Sequence, residues 1–180
     1  MVQESQSRRV SFLLDNLAGG GAEKVILNLA SGFARLGHPV DVLVCKMEGP
    51  LCDKIPENVN LVQLKASSSL RGFFYALVVD PASFRYVVKM FIQARKLPGT
   101  FRFMPAVVDY LKTSHPAGLL SALPRANINA VLAKRCSGES TRVIVGVHVN
   151  YSVQEHEDQG DNKPGVGYMQ AFVRRYYRQA

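Results

Sequence analysis

A chain of 180 residues that is 47% hydrophobic and 20% charged fits one ordinary globular domain with a single sizeable core, which excludes a disordered chain. The three cysteines, Cys45, Cys52 and Cys136, are an odd number without a CxxC pair, so free thiols in a reducing compartment are expected rather than a disulfide framework. Residues 1–9 are polar, with no apolar run behind them that resembles a signal peptide, and no stretch reaches the roughly 18 to 20 apolar residues of a membrane span. A cytoplasmic protein is expected, attached to a membrane, if at all, only from its surface.

The first elements follow from periodicity. Residues 9–14 (RVSFLL) read as a buried strand. A turn with three consecutive glycines, Gly19, Gly20 and Gly21, follows. From Ala22 the period changes: Ala22, Val25, Ile26, Leu29, Ala30 and Phe33 share one helical face, with Lys24, Asn28 and Arg35 opposite. Gly37 and Pro39 end that helix, and residues 40–45 (VDVLVC) form a second strand. Strand, glycine turn, amphipathic helix and strand make a βαβ unit with parallel strands and a right-handed crossover.

Residues 59–64 alternate as a third strand, and residues 70–97 are aromatic, basic and helical, broken near Asp80 and Pro81. Pro105 suits the first turn of a helix through Lys112. Residues 117–123 read as a fourth strand, 126–136 as a helix ended by Ser137 and Gly138, and 141–147 (TRVIVGV) as a further strand. A polar loop over 150–164 and a basic helix over 168–179 close the chain. The alternation predicts an α/β fold: a doubly wound, mostly parallel Rossmann-like sheet with helices on both faces.

A glycine run between a strand and a helix start has two readings. It permits a tight turn, or it lets a ligand approach backbone N–H groups at the positive end of a helix, which suits phosphate or another anion. A dinucleotide fingerprint starting at Gly19 needs glycine where Lys24 stands, and an acidic residue near Cys45 and Lys46. A P-loop spacing occurs nowhere in the chain.

What the letters do match is Gly20-Gly21-Ala22-Glu23, then Leu27-Asn28-Leu29-Ala30, then Gly37-His38-Pro39-Val40. This resembles the family-four retaining glycosyltransferases, with their GGAE, LNLA and GHxV pattern. Residues 120–127 (LSALPRAN) look like that family's strand-to-helix segment, and residues 143–152 (VIVGVHVNYS) like its strand ending in a histidine–asparagine loop. The resemblance is weakest between residues 70 and 116. It implies that residues 1–180 are one acceptor-side domain, half of a GT-B architecture, with a donor-binding domain to follow, and that this half alone is inactive.

The resemblance further implies transfer of a sugar from a nucleotide-sugar to a hydroxyl of a polysaccharide or lipid-linked acceptor, with retention. The nucleotide-sugar is a co-substrate, and no cofactor or metal is expected. Gly19, Gly20, Gly21 and Glu23 would form the loop at the donor phosphates or sugar. His148, leaving a strand at its carboxyl edge, would contact the transferred sugar, and Asn150 and Ser152 the acceptor. No catalytic role falls to His38, His115 or His156. Glu155, Glu157, Asp158 and Asp161 crowd one polar loop, where carboxylates are ordinarily solvated rather than metal-bound.

The net charge of +8 is uneven: residues 65–112 hold eight basic side chains against two acidic ones. Arg71, Arg85, Lys89, Arg95 and Lys96 stand among large aromatic residues. Such a pattern describes either a helix at an anionic membrane surface or a core with a solvated cationic face. Two other functions compete with sugar transfer. One is a non-catalytic lipid- or carbohydrate-binding α/β module. The other, a nucleic-acid binder, rests on charge alone and lacks any recognition motif.

Overall fold

The computed structural model describes residues 8–79 and 99–146. Five parallel strands make one sheet: β1 (Val10–Leu14), β2 (Val40–Val44), β3 (Asn60–Gln63), β4 (Gly118–Ala122) and β5 (Arg142–Gly146), in the order β3-β2-β1-β4-β5. Register is set in pairs, Val10 beside Val40 and Gly118, and Gly118 beside Arg142. β1 and β2 are apolar almost throughout, as strands covered on both faces must be.

The helices α1 (Gly21–Arg35), α2 (Ser69–Val79), α3 (Met104–Ser114) and α4 (Pro124–Ser137) divide between the two faces. Phe12, Leu14, Val42 and Val44 point to α1, where Ala22, Ile26, Leu27 and Ala30 cover them. Leu13, Leu43 and Leu119 point the other way, to α3 and α4. Successive strand residues face opposite ways, so one run of apolar letters feeds both cores. This is the doubly wound α/β fold expected from the sequence.

One local expectation needs correction. The buried stripe of α1 is Ala22, Glu23, Ile26, Leu27 and Ala30, while Val25 and Leu29 are 44% and 41% exposed. The helix is rotated about its axis relative to the face that apolar counting selects, because contact with the sheet falls along 22, 26 and 30 and takes in 23 and 27. Two short 3-10 turns among the described residues, Cys52–Lys54 and Gly99–Phe103, carry no periodic signal in the sequence. Residues 70–79 are helical as expected; the break near Asp80 and Pro81, the loop over 150–164 and the helix over 168–179 lie outside the described residues.

A buried polar cluster ties the amino-terminal rim of the sheet. Asp41 accepts hydrogen bonds from Arg9 (2.7 Å), Asn60 (2.9 Å) and the Tyr110 hydroxyl, and the Ser11 hydroxyl lies 2.6 Å from that of Tyr110. Burial alone would raise the Asp41 carboxyl, but the bonds from Tyr110, Asn60 and Arg9 outweigh it and hold the group below the ordinary carboxylate value. The cluster spans β1, β2, β3 and α3, at the rim opposite the one described next.

Candidate functional site at the sheet switch point

β1 and β4 are neighbours, yet the chain leaves them toward opposite faces, β1 into α1 and β4 into α4. That reversal opens a crevice at the carboxyl ends of the strands, where open α/β sheets take their ligands. The glycine turn forms one wall and the start of α4 the other.

The turn is held by its surroundings. Leu17 is fully buried; its N–H donates to the Glu48 carbonyl (2.9 Å) and its carbonyl accepts from Leu51 (3.2 Å). Lys46 donates to the Asp15 carbonyl at 3.0 Å, and Asn16 takes the Ala18 N–H at 3.2 Å. Gly49 makes this close approach feasible. Its φ is +121°, and a Cβ there would lie 2.1 Å from the Leu17 carbonyl oxygen. Gly19, at φ +91°, completes the bend against Pro50. The turn is thus fixed before any ligand arrives.

Gly20 caps α1 without a side-chain hydrogen bond. Lys24 N–H reaches the Gly20 carbonyl at 3.3 Å, while the N–H groups of Gly21, Ala22 and Glu23 make no hydrogen bond among the described residues. Gly20 and Gly21 are exposed while Ala22 and Glu23 are buried, and the leading N–H groups of a helix have no partner within it. Glu23, the remaining loop residue expected from the sequence, is 5% exposed and lies against Gly20.

The opposite wall holds residues that sequence reasoning missed. Leu123 has φ +77° and ψ 146°, a backbone region nearly restricted to glycine and costing on the order of 1–3 kcal/mol. The bend lets Pro124 start α4 directly at the end of β4. Arg125, on the first turn of α4, pairs with Asp15 at 3.7 Å, bridging the two strand ends. Asn127 is fully buried, accepts from the Ser121 hydroxyl (2.8 Å) and donates to the Gly146 carbonyl (2.9 Å). The available signal was two asparagines, Asn127 and Asn129, within residues 126–133, a run otherwise apolar, since buried polar groups are kept for specific bonds.

Of the residues picked out from the sequence, Gly19, Gly20, Gly21 and Glu23 meet at this crevice. β5 ends at Gly146 on the same rim, two residues before His148. His148, Asn150 and Ser152 lie outside the described residues, as do Arg85, Lys89, Arg95 and Lys96. Arg71 is exposed on α2, where Leu70, Phe74 and Val78 form an exposed apolar stripe one helical turn apart. A cavity of about 560 Å³ is lined by Phe74, Tyr75, Val78, Arg135 and Cys136. It lies at the far end of α4 from the glycine turn.

Among the described residues no cluster of ligating side chains could hold a metal, and no helix is long and apolar enough to cross a membrane. The cysteines are unpaired. Burial pushes the Cys45 thiol up to about 12 and that of Cys136 up to about 11.

A doubly wound parallel sheet with a glycine turn and helix start at its switch point is a Rossmann-like fold, and the solved structures that share it here are glycosyltransferases. The apo form of the lipopolysaccharide outer core galactosyltransferase WaaB shares this fold at TM-score 0.53 and 14% identity, over 83% of this chain and 36% of that one. CalG4, the calicheamicin glycosyltransferase, matches at TM-score 0.50 and 14% identity, over 97% and 43% of the two chains. The glycosyltransferase of kitacinnamycin matches at TM-score 0.50 and 13% identity, over 94% and 39%. The chain therefore spans less than half the length of each. No curated protein gives a significant match. The model of Glycosyltransferase Family 4 matches residues 19–180; the chain belongs to that family.

Proposed function

We propose that this chain is the acceptor-side domain of an enzyme that moves a sugar from a nucleotide-sugar to a hydroxyl, with retained configuration and without a metal. The observation that carries the reading is the family match over residues 19–180, read with a glycine turn held open at the switch point. In this reading the turn meets the donor, His148 stabilises the sugar as charge develops on it, and Asn150 and Ser152 contact the acceptor. Gly146, pinned by Asn127 at 2.9 Å, brings the chain to within two residues of His148 on the rim that the turn occupies.

The acceptor in this proposal is a polysaccharide or a lipid-linked glycan. The exposed stripe of Leu70, Phe74 and Val78 beside Arg71 supports docking on an anionic membrane surface, with Arg85, Lys89, Arg95 and Lys96 adding charge. Binding to vesicles that does not depend on their anionic lipid content counts against this part. The same stripe also favours a second reading, a lipid-binding module without catalysis.

Donor hydrolysis and transfer across a panel of nucleotide-sugars, with the full-length protein and His148→Ala, separates the two. Sugar transfer requires turnover in the wild type and a loss of at least about a hundredfold in the variant. Absence of turnover with every donor, alongside vesicle binding, leaves the module.

A further inference from the structure

Apolar residues aligned across a sheet are buried where a second layer stands on them. Leu61, Val42, Phe12, Leu120 and Ile144 are partners in register from β3 to β5 and form one such row on the α1 face. Val42 and Phe12 are fully buried, Leu120 is partly buried, and Ile144 is 56% exposed. The cover thus ends at β4. Among the described residues no helix lies over β5 on this side, since α2, α3 and α4 pack against the other face.

The flank of α1 beside this gap is apolar as well. Ser31, on one flank, bonds to Asn58 ahead of β3. The opposite flank, with Val25, Leu29 and Leu36, therefore looks toward β4 and β5, and all three side chains are exposed. Gly32 falls on the same stripe, where an added Cβ would meet nothing within 4 Å. Exposed leucines scattered singly are ordinary on a surface. Here they line one groove, with α1 as its wall and the β4–β5 face as its floor.

The connections of the sheet do not fill that groove. Crossovers between parallel strands are right-handed, so one leaving β5 outward runs on the face that α4 occupies. A second copy does not fit it either. Arg142 is exposed two residues before Ile144, hence on the same face of β5, and Lys24 and Arg35 are exposed along α1. A self-complementary contact would set these cations against themselves. Glu139, before β5, and Asp15, after β1, are engaged by His115 at 2.8 Å and Arg125 at 3.7 Å, and Glu23 is buried on the covered side of α1. The groove is apolar inside and cationic at its edges. A flat bilayer takes up projecting side chains, not a floor set below a helix.

We propose that this groove docks an amphipathic helix of a partner protein, apolar along one stripe and acidic on its flanks. The wall from Val25 to Leu36 is about 16 Å long, which matches about three helical turns. Gly32 lets the incoming helix come close, and its apolar stripe seats between Leu29 and Ile144. This docking follows from the fold and charge alone and does not rest on the sugar-transfer reading.

The test is fluorescence anisotropy with the full-length protein and two labelled helical peptides of about three turns. Both carry leucine at i, i+3, i+4 and i+7; one has glutamate on its flanks and the other lysine. The acidic peptide should bind at least about tenfold more tightly than the basic one, and less tightly as salt rises. Leu29→Ser and Ile144→Ser should each weaken it by at least about tenfold. Arg35→Glu combined with Arg142→Glu tests the docking without touching an apolar side chain, and should erase the preference for the acidic peptide. No binding, equal binding of the two peptides, wild-type affinity in both serine variants, or an unchanged preference in the charge variant overturns the proposal.

Alkylation of Ile144→Cys by iodoacetamide, read by peptide mass spectrometry, separates the other occupants. The new thiol should label quickly in the protein alone and slowly with the acidic peptide. Slow labelling in the protein alone means that its own chain covers the groove. Labelling that slows as protein concentration rises means a second copy, and protection by phosphatidylserine vesicles means a membrane. Each of these three results overturns the partner helix.

Discussion

The side-chain amide of Asn127, buried on the first turn of α4, donates to the carbonyl of Gly146 at 2.9 Å. The same side chain accepts from Ser121 on β4 at 2.8 Å. One residue thus joins two strand ends to a helix start, at the rim where the glycine turn stands. Asn127→Asp turns the donor into a carboxylate facing a carbonyl and should cost on the order of 2–3 kcal/mol in urea denaturation, against about 1 for Ser121→Ala. Unchanged midpoints for both would show that the clamp contributes nothing.

The bend of the glycine turn depends on Gly49. Gly49→Ala places a methyl 2.1 Å from the Leu17 carbonyl oxygen at a φ of +121°, so the backbone must move. A loss of more than about 2 kcal/mol is expected, with faster amide hydrogen exchange across residues 15–21. Exchange at the wild-type rate would mean that the turn is held by something other than this contact.

Stability should plateau between acid and alkali, with both limbs traced to one cluster. The Asp41 carboxyl is held below its ordinary value of 3.8. Its contribution is therefore full above that value and is lost as pH falls through the folded value beneath it. Burial, then the bond to Asp41, raises the Tyr110 phenol above its ordinary 10.0. Its contribution is full below 10.0 and declines as pH rises, because the unfolded chain then ionises first. Urea midpoints against pH check this: Asp41→Asn should flatten the acid limb and Tyr110→Phe the alkaline one, each lowering the plateau. Limbs unaltered in both variants would contradict it.

Thiol reactivity should follow burial. With its thiol pushed up to about 12, Cys45 holds almost no thiolate near neutral pH. Iodoacetamide should modify half-buried Cys52 in the native protein and reach Cys45 only on unfolding, as read by peptide mass spectrometry. Rapid native labelling of Cys45 would refute the packing of β2.

The βαβ opening was legible because the hydrophobic period changes at a glycine run, from a continuous strand run to a helical repeat. The rotation of α1 was not. Val25 and Leu29 are as apolar as Ile26 and Leu27, and only the position of the sheet decides which pair is covered. In the same way, the motif ending at Glu23 flagged the turn, but its letters do not reveal that the carboxylate folds back over Gly20. Asp15, Arg125 and Asn127 act through contacts between segments far apart in the sequence, which no local pattern carries. The positive φ at Leu123 is equally silent, since leucine gives no sign of a conformation that glycine would favour.

The central claim is that the glycine turn and the histidine beyond β5 serve one bound sugar. A crystal structure of the full-length protein with an intact nucleotide-sugar tests it most directly. The account predicts the transferred sugar within hydrogen-bonding distance of both the α1 amino terminus and the His148 imidazole, at the carboxyl rim between β1 and β4. A sugar bound away from that rim, or His148 on the opposite edge of the sheet from Gly20, would contradict it.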